Sequence, residues 1–218
     1  MRALKLLRNG MTLLLAATMA HSLAQTLQPA APDTSAPPVP VVDPGVELKG
    51  AALVEALRQG GLVLYMRHAL QIPPTSEVCD KSNLTEVGEM QARKVGEAIR
   101  SLGIPVGAVE SSQPCRSRDT ARLLAWGKVD VTEDLNPMGP MPKDNMSAAR
   151  ARRLAKAPQP GTNSILVSHV HGGRNKADRI QLEIAEVIVY RPDGKGGAQP
   201  LARIRLEAWE DLARHTAK

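Results

Sequence analysis

Residue types suited to chemistry on an anion recur at three places in this 218-residue chain, each shortly after an apolar run. The run 62–66 leads to Arg67 and His68, the run 106–109 leads to Arg116, and the run 165–168 leads to His169. A guanidinium fork matches phosphate oxygens bidentately and stays charged at any working pH. An imidazole is neutral for part of the time near pH 7, and its free nitrogen can then attack phosphorus without a metal. Two Arg and two His around one volume therefore suit a phosphoryl group, because they stabilise the charge that its transition state spreads over the equatorial oxygens. Each residue alone has a plainer reading. His68 by itself would be a core histidine, and Arg116 could belong with Arg118 and Arg122 to a solvated helix face. Only convergence makes a site of them.

Convergence requires the three runs to be neighbouring parallel strands, whose carboxyl ends form the ligand edge of an open α/β sheet. The spacing predicts a helix over 50–59, ended by Gly60-Gly61, then a strand at 62–66 buried on both faces. Thr85 is the expected N-cap of a second helix, with Glu86 and Glu89 at its positive end and Gly103-Ile104-Pro105 as its stop. Leu84, Val87, Val95, Ala98 and Leu102 form the apolar face expected for it. A strand follows at 106–109, then a helix from about Arg116 to Gly127 and a third strand at 129–131. A basic helix over 146–156 is expected to expose Arg150, Arg152, Arg153 and Lys156, and a further strand follows at 164–168. The alternating segments 186–190 and 201–206 flank a turn-rich link and read as an antiparallel hairpin, with Ala202, Ile204 and Leu206 on one face. A helix over 207–214 closes the chain. This order predicts an α/β fold, a three-layer α/β/α sandwich with a mostly parallel central sheet and a C-terminal antiparallel hairpin.

The formal charge of +6 is unevenly spread. Residues 1–24 hold Arg2, Lys5 and Arg8 without acids, and the remainder carries 25 basic against 22 acidic residues. That mild excess suits a small anion, and no basic run with interleaved aromatics points to nucleic acid. Residues 1–24 read as a signal peptide: a basic start, an apolar core at 11–20, and Ser22-Leu23-Ala24 before an expected cleavage at Gln25. The core is too short to span a bilayer, so no stable membrane insertion is expected after cleavage, and the protein is expected to be periplasmic or secreted. Residues 25–47, rich in Pro and Ala, read as a linker, and 48–218 as one domain. Two cysteines, Cys79 and Cys115, are an even count that in an exported chain suggests a disulfide, with two free thiols as the alternative.

The stretches VLYMRHA, NLTEVGEMQARKVGEAIRSLGIPVGAVESSQPCRSRDTARL and GTNSILVSHV resemble the histidine phosphatase (phosphoglycerate mutase-like) superfamily. The tail EVIVYRPDGKGGAQPLARI is similar to that of its small exported members. The resemblance implies an α/β/α sandwich and a phosphohistidine intermediate formed without cofactor or metal. His68 would be the nucleophile, and Arg67, Arg116 and His169 would bind the phosphoryl group of a small phosphorylated substrate. Two positions depart from the pattern: Ala69 stands where Gly usually follows Arg-His, and Ser168 stands where Gly is common before His169. A methyl group at 69 could crowd the phosphate. The family takes its proton donor from a variable loop, and Glu133, Asp134, Glu186 and His171 are rival candidates here. His169-Val170-His171 also invites a metal reading, for which no carboxylate stands at fixed spacing. The function expected is an exported phosphatase acting on a phosphomonoester. The alternative is a non-catalytic periplasmic phosphate-ligand binding or partner protein on the same fold.

Overall fold

A computed structural model describes residues 47–73, 79, 82–137, 144–170 and 181–216. The expected signal peptide, the linker before residue 47 and His171 lie outside the described residues. The chain order is α1 (Gly50–Gln59), β1 (Val63–Arg67), α2 (Glu86–Ser101), β2 (Val106–Ser111), α3 (Cys115–Leu123), β3 (Asp130–Val131), a 3-10 turn (Glu133–Leu135), α4 (Asp144–Ala155), β4 (Asn163–Ser168), β5 (Val187–Pro192), β6 (Ala198–Ile204) and α5 (Ala208–Thr216). The six strands form one mixed sheet in the order β3-β2-β4-β1-β5-β6. Pairing is parallel from β3 through β2 and β4 to β1, then antiparallel to β5 and β6. The parallel centre and the C-terminal hairpin are thus as the sequence predicts.

Side chains alternate across a strand, and the two cores follow from that period. Leu64 and Met66 of β1, Ile165 and Val167 of β4, and Val187 and Val189 of β5 pack with α1, α2, α3 and α5. Val63, Tyr65, Leu166, Ile188 and Tyr190 face the other way, onto Leu135 and Leu154 of the 3-10 turn and α4. Both faces of the sheet are covered, which is why the strands read as continuous apolar runs. The buried Asn163 ties the amino ends together. Its Nδ2 donates to the carbonyls of Leu57 and Pro105 at 2.7 and 2.9 Å, and its Oδ1 accepts from Leu62 N–H at 3.1 Å.

Thr85 caps α2 as expected, accepting from Gly88 N–H at 3.0 Å, and of the expected face Leu84, Val95 and Leu102 are buried and Ala98 packs against the core. Gly88, Ala92, Val95, Gly96 and Ile99 face inward, while Val87 is exposed. A Cβ at position 88 would run into the Leu70 carbonyl, and one at position 96 into the Leu124 backbone. Missing side chains set the closest approach, so a ranking by hydrophobicity finds most of the face but wrongly includes Val87. Helix α3 ends at Leu123 rather than Gly127, because Ala125 takes a left-handed φ of 61°. In β6, a register shift opposite Val189 and Tyr190 lets Leu201 and Ala202 both bury. Pro200 is tolerated because β6 is an edge strand.

The largest correction concerns α4. Arg150 is fully buried rather than solvated. Arg153 is engaged as well, pairing with Asp134 at 2.8 Å and Glu110 at 2.9 Å. The run of basic residues looks like a surface face only when the partners on other elements are unknown.

Cys79 and Cys115 form a disulfide across 36 positions. It ties the segment after β1 to the first residue of α3. By the loop-entropy argument, such a closure contributes about 3–4 kcal/mol. Denaturant unfolding of the Cys79→Ser protein, or of wild type under reductant, is expected to show a loss of that order. An unchanged midpoint would mean that the bond constrains nothing the fold does not already fix.

Candidate active site

The β1–β4 register places Arg67 opposite Ser168, so the residues that follow, His68 and His169, emerge side by side. His68 N–H donates to the Ser168 carbonyl at 2.9 Å. The two rings lie edge to face with centroids 5.2 Å apart. Beside β4, Ser112 N–H donates to the Val167 carbonyl at 3.0 Å, and α3 starts three residues on, carrying Arg116. Arg116 Nη2 lies 3.3 Å from His169 Nδ1. All four residues singled out in the sequence (Arg67, His68, Arg116 and His169) line one cavity of about 490 Å³. Leu70, Gln71, Pro73, Pro137, Val170 and Ile184 complete its described wall.

Part of this region, the part that holds Arg67, His68 and Arg116, matches a known family. Residues 64–159 match the model of the histidine phosphatase superfamily, branch 1. Over those residues the chain is similar to that superfamily. No curated protein matches the chain. Solved structures similar to it include the protein histidine phosphatase SixA complexed with tungstate, at 13% identity and a TM-score of 0.47, over 66% of this chain and 97% of that one. The putative phosphohistidine phosphatase SixA from Nakamurella multipartitia gives 18% identity and 0.47, over 66% and 95%. Phosphoserine phosphatase in complex with 3-phosphoglyceric acid from Entamoeba histolytica gives 15% and 0.45, over 68% and 98%.

In the cavity, hydrogen bonding fixes the proton on each ring. His68 Nδ1 sits 2.8 Å from the Ala69 carbonyl. A carbonyl can only accept, so Nδ1 carries the hydrogen and the lone pair is on Nε2. For His169 the order is reversed. The guanidinium of Arg116 can only donate, so Nδ1 accepts, and Nε2–H points to Ser112 Oγ at 2.9 Å, with Ser117 Oγ at 3.4 Å. Tyr65 Oη donates to the His169 carbonyl at 3.1 Å. Neither serine was singled out as a site residue from the sequence. The Ser111-Ser112 pair beside Arg116 was the available signal, and it said nothing about a bond to a histidine 57 positions away.

Arg67 donates from Nη1 to the Leu182 carbonyl at 2.6 Å. Burial lowers its basicity, and the charge of Glu186 partly restores it. Ala69 does not crowd the cavity: it is fully buried in a small apolar cluster with Leu84 and Ala92, and its N–H donates to Thr120 Oγ1 at 3.0 Å. Ser168 likewise turns away, donating to the Leu135 carbonyl at 2.5 Å.

The rival proton donors fare differently. Glu186 is buried and held by Arg203 at 3.0 and 2.8 Å and by Glu183 N–H at 2.7 Å. Asp134 is committed to Arg153. Among the described residues no carboxylate lines the cavity.

Burial lowers the His68 pKa to about 4; the bond to the Ala69 carbonyl opposes the shift, and the charges of Arg116 and Arg67 add to it. The same causes, burial first and then Arg116, hold His169 well below the ordinary histidine value. An unfolded His68 takes up its proton near pH 6.5, and the folded one only near pH 4. The ring therefore costs the fold nothing above pH 6.5 and subtracts from stability as pH falls through that window. Ring ¹⁵N–¹H spectra should show a neutral, Nδ1-protonated His68 at pH 6, titrating near 4. A midpoint at or above 6.5 would contradict this site.

Proposed function

We propose that the protein is an exported, metal-independent phosphatase that hydrolyses a phosphomonoester through a phosphohistidine on His68. The observation that carries this reading is the bond from His68 Nδ1–H to the Ala69 carbonyl, which leaves the Nε2 lone pair available in a cavity that two arginines also line. Nε2 attacks phosphorus, an N–P bond forms, and the ester P–O bond breaks with its electron pair leaving on oxygen. Water then attacks the phosphohistidine, the N–P bond breaks, and inorganic phosphate leaves as Nε2 regains its lone pair. Arg67 and Arg116 neutralise the phosphoryl oxygens through both steps, and His169, its Nε2–H donated to Ser112 and its Nδ1 accepting from Arg116, stays neutral beside them. The depressed pKa keeps the nucleophile unprotonated at any pH above about 4. The match of residues 64–159 to the histidine phosphatase family model supports the reaction class.

Export is supported by the three-part pattern of residues 1–24 and by the disulfide, which persists in oxidising compartments. No helix among the described residues is long and apolar enough to cross a membrane.

The oxidised protein is expected to release phosphate from p-nitrophenyl phosphate in the presence of EDTA. The nitrophenolate leaves without needing a proton, so the assay reads the nucleophile alone. His68→Ala should fall to background, with no phosphoenzyme trapped at acid quench, and Arg116→Ala should lose about 100-fold or more in kcat/KM. Full activity in His68→Ala, or abolition by EDTA, would sink the mechanism. Saturable vanadate binding without turnover on any phosphoester would identify a binding protein instead.

A further inference from the structure

Arg150 reaches the sheet from α4 and exposes no surface. Its Nη2 donates to the Asn136 carbonyl at 2.6 Å, and its guanidinium carbon lies 5.9 Å from the centre of the Tyr65 ring. Nε and Nη1 have no hydrogen-bond partner. Among the described residues no carboxylate stands within ion-pair distance of it. A buried guanidinium without a counter-charge is costly, and a fold that carries one has its compensation elsewhere.

What surrounds Arg150 belongs to the cavity. The Tyr65 side chain beneath it is bonded to the His169 carbonyl. Asn136, which it grips, is joined to Gln113 by two bonds: Gln113 N–H to Oδ1 at 2.9 Å and Nδ2–H to Gln113 Oε1 at 2.7 Å. Gln113 lies between Ser112, the partner of His169, and Pro114, the cap of α3. Pro137, next to Asn136, is part of the cavity wall. The guanidinium thus clamps the segment that frames one side of the site. Its charge is also felt there, lowering the basicity of His169 alongside burial, Arg116, His68 and Arg67.

We propose that Arg150 is a third cationic determinant of phosphoryl binding, a positioning residue outside the cavity wall whose buried charge, without a carboxylate partner among the described residues, is balanced when an anion enters between Arg67 and Arg116. It touches no substrate. The incoming phosphate supplies a counter-charge that the described residues do not, and the low-dielectric surroundings let it act at a distance with little screening. The clamp on Asn136 keeps the wall in place while it does so.

The proposal rests on the cavity being a phosphoryl site, and calorimetric titration with inorganic phosphate tests it without requiring turnover. Arg150→Met, which removes the charge and keeps the bulk, should weaken phosphate binding about tenfold. Its melting temperature without ligand should equal or exceed that of wild type, because an unpaired buried cation is lost. Arg150→Lys should bind phosphate within about threefold of wild type, since the charge is retained. Wild-type affinity in Arg150→Met overturns the proposal, as does an equal loss in Arg150→Met and Arg150→Lys, which would mean a purely structural role. Should Arg150→Met fail to fold, Arg150→Gln keeps a donor without the charge; binding by it equal to that of Arg150→Lys also overturns the proposal. Absence of phosphate binding in wild type would instead remove the phosphoryl reading itself, and this one with it.

Discussion

The site depends on one register. Arg67 opposite Ser168 puts the next residue of each strand, His68 and His169, at the same level on the sheet edge. Side chains alternate with period two, so a slip of one residue would send one imidazole to the opposite face. Asn163 guards against that slip from the far end, joining α1, the entry to β1 and the entry to β2 through three short bonds. A polar side chain deep in the amino-terminal edge thereby sets the geometry at the carboxyl-terminal one. The chemistry rests on a hydrogen-bonding constraint about one strand length away.

Charge is arranged with the same economy. Arg67, Arg116 and Arg150 all bear on His169, and together with burial they keep it neutral. His68 stays neutral for similar causes. Neutral rings thus stand beside fixed cations in one cavity, with the Nε2 lone pair of His68 free of a proton. The carboxylates nearby are already taken. Glu186 faces Arg203, and Asp134 and Glu110 face Arg153, so the positive potential of the cavity is not cancelled from within the described fold.

Much of this was readable in the amino-acid order. Continuous apolar runs gave β1, β2 and β4, turn residues gave the hairpin, and Arg-His after a run gave the edge at which the cavity lies. The four residues Arg67, His68, Arg116 and His169 were identifiable because each follows a strand, and strand ends are local features. Ser112, Ser117 and Arg150 were not, because their roles are defined by partners dozens of positions away. Arg150 sits among other basic residues on a helix, and nothing local separates its buried guanidinium from those of Arg152 and Arg153 on the same helix. Val87 misled for a related reason: the buried stripe of α2 is chosen by what Gly88 and Gly96 leave out, and periodicity counts only the side chains present.

Gly88 has one more implication. With no room for a methyl group against the Leu70 carbonyl, α2 presses directly on the peptide two positions beyond His68, and Thr85 grips the same carbonyl through its own N–H at 3.0 Å. A helix from the body of the domain thus acts as an anvil behind the cavity wall. Displacement of the backbone after His68 is opposed by sixteen residues of α-helix, where an unsupported loop would yield.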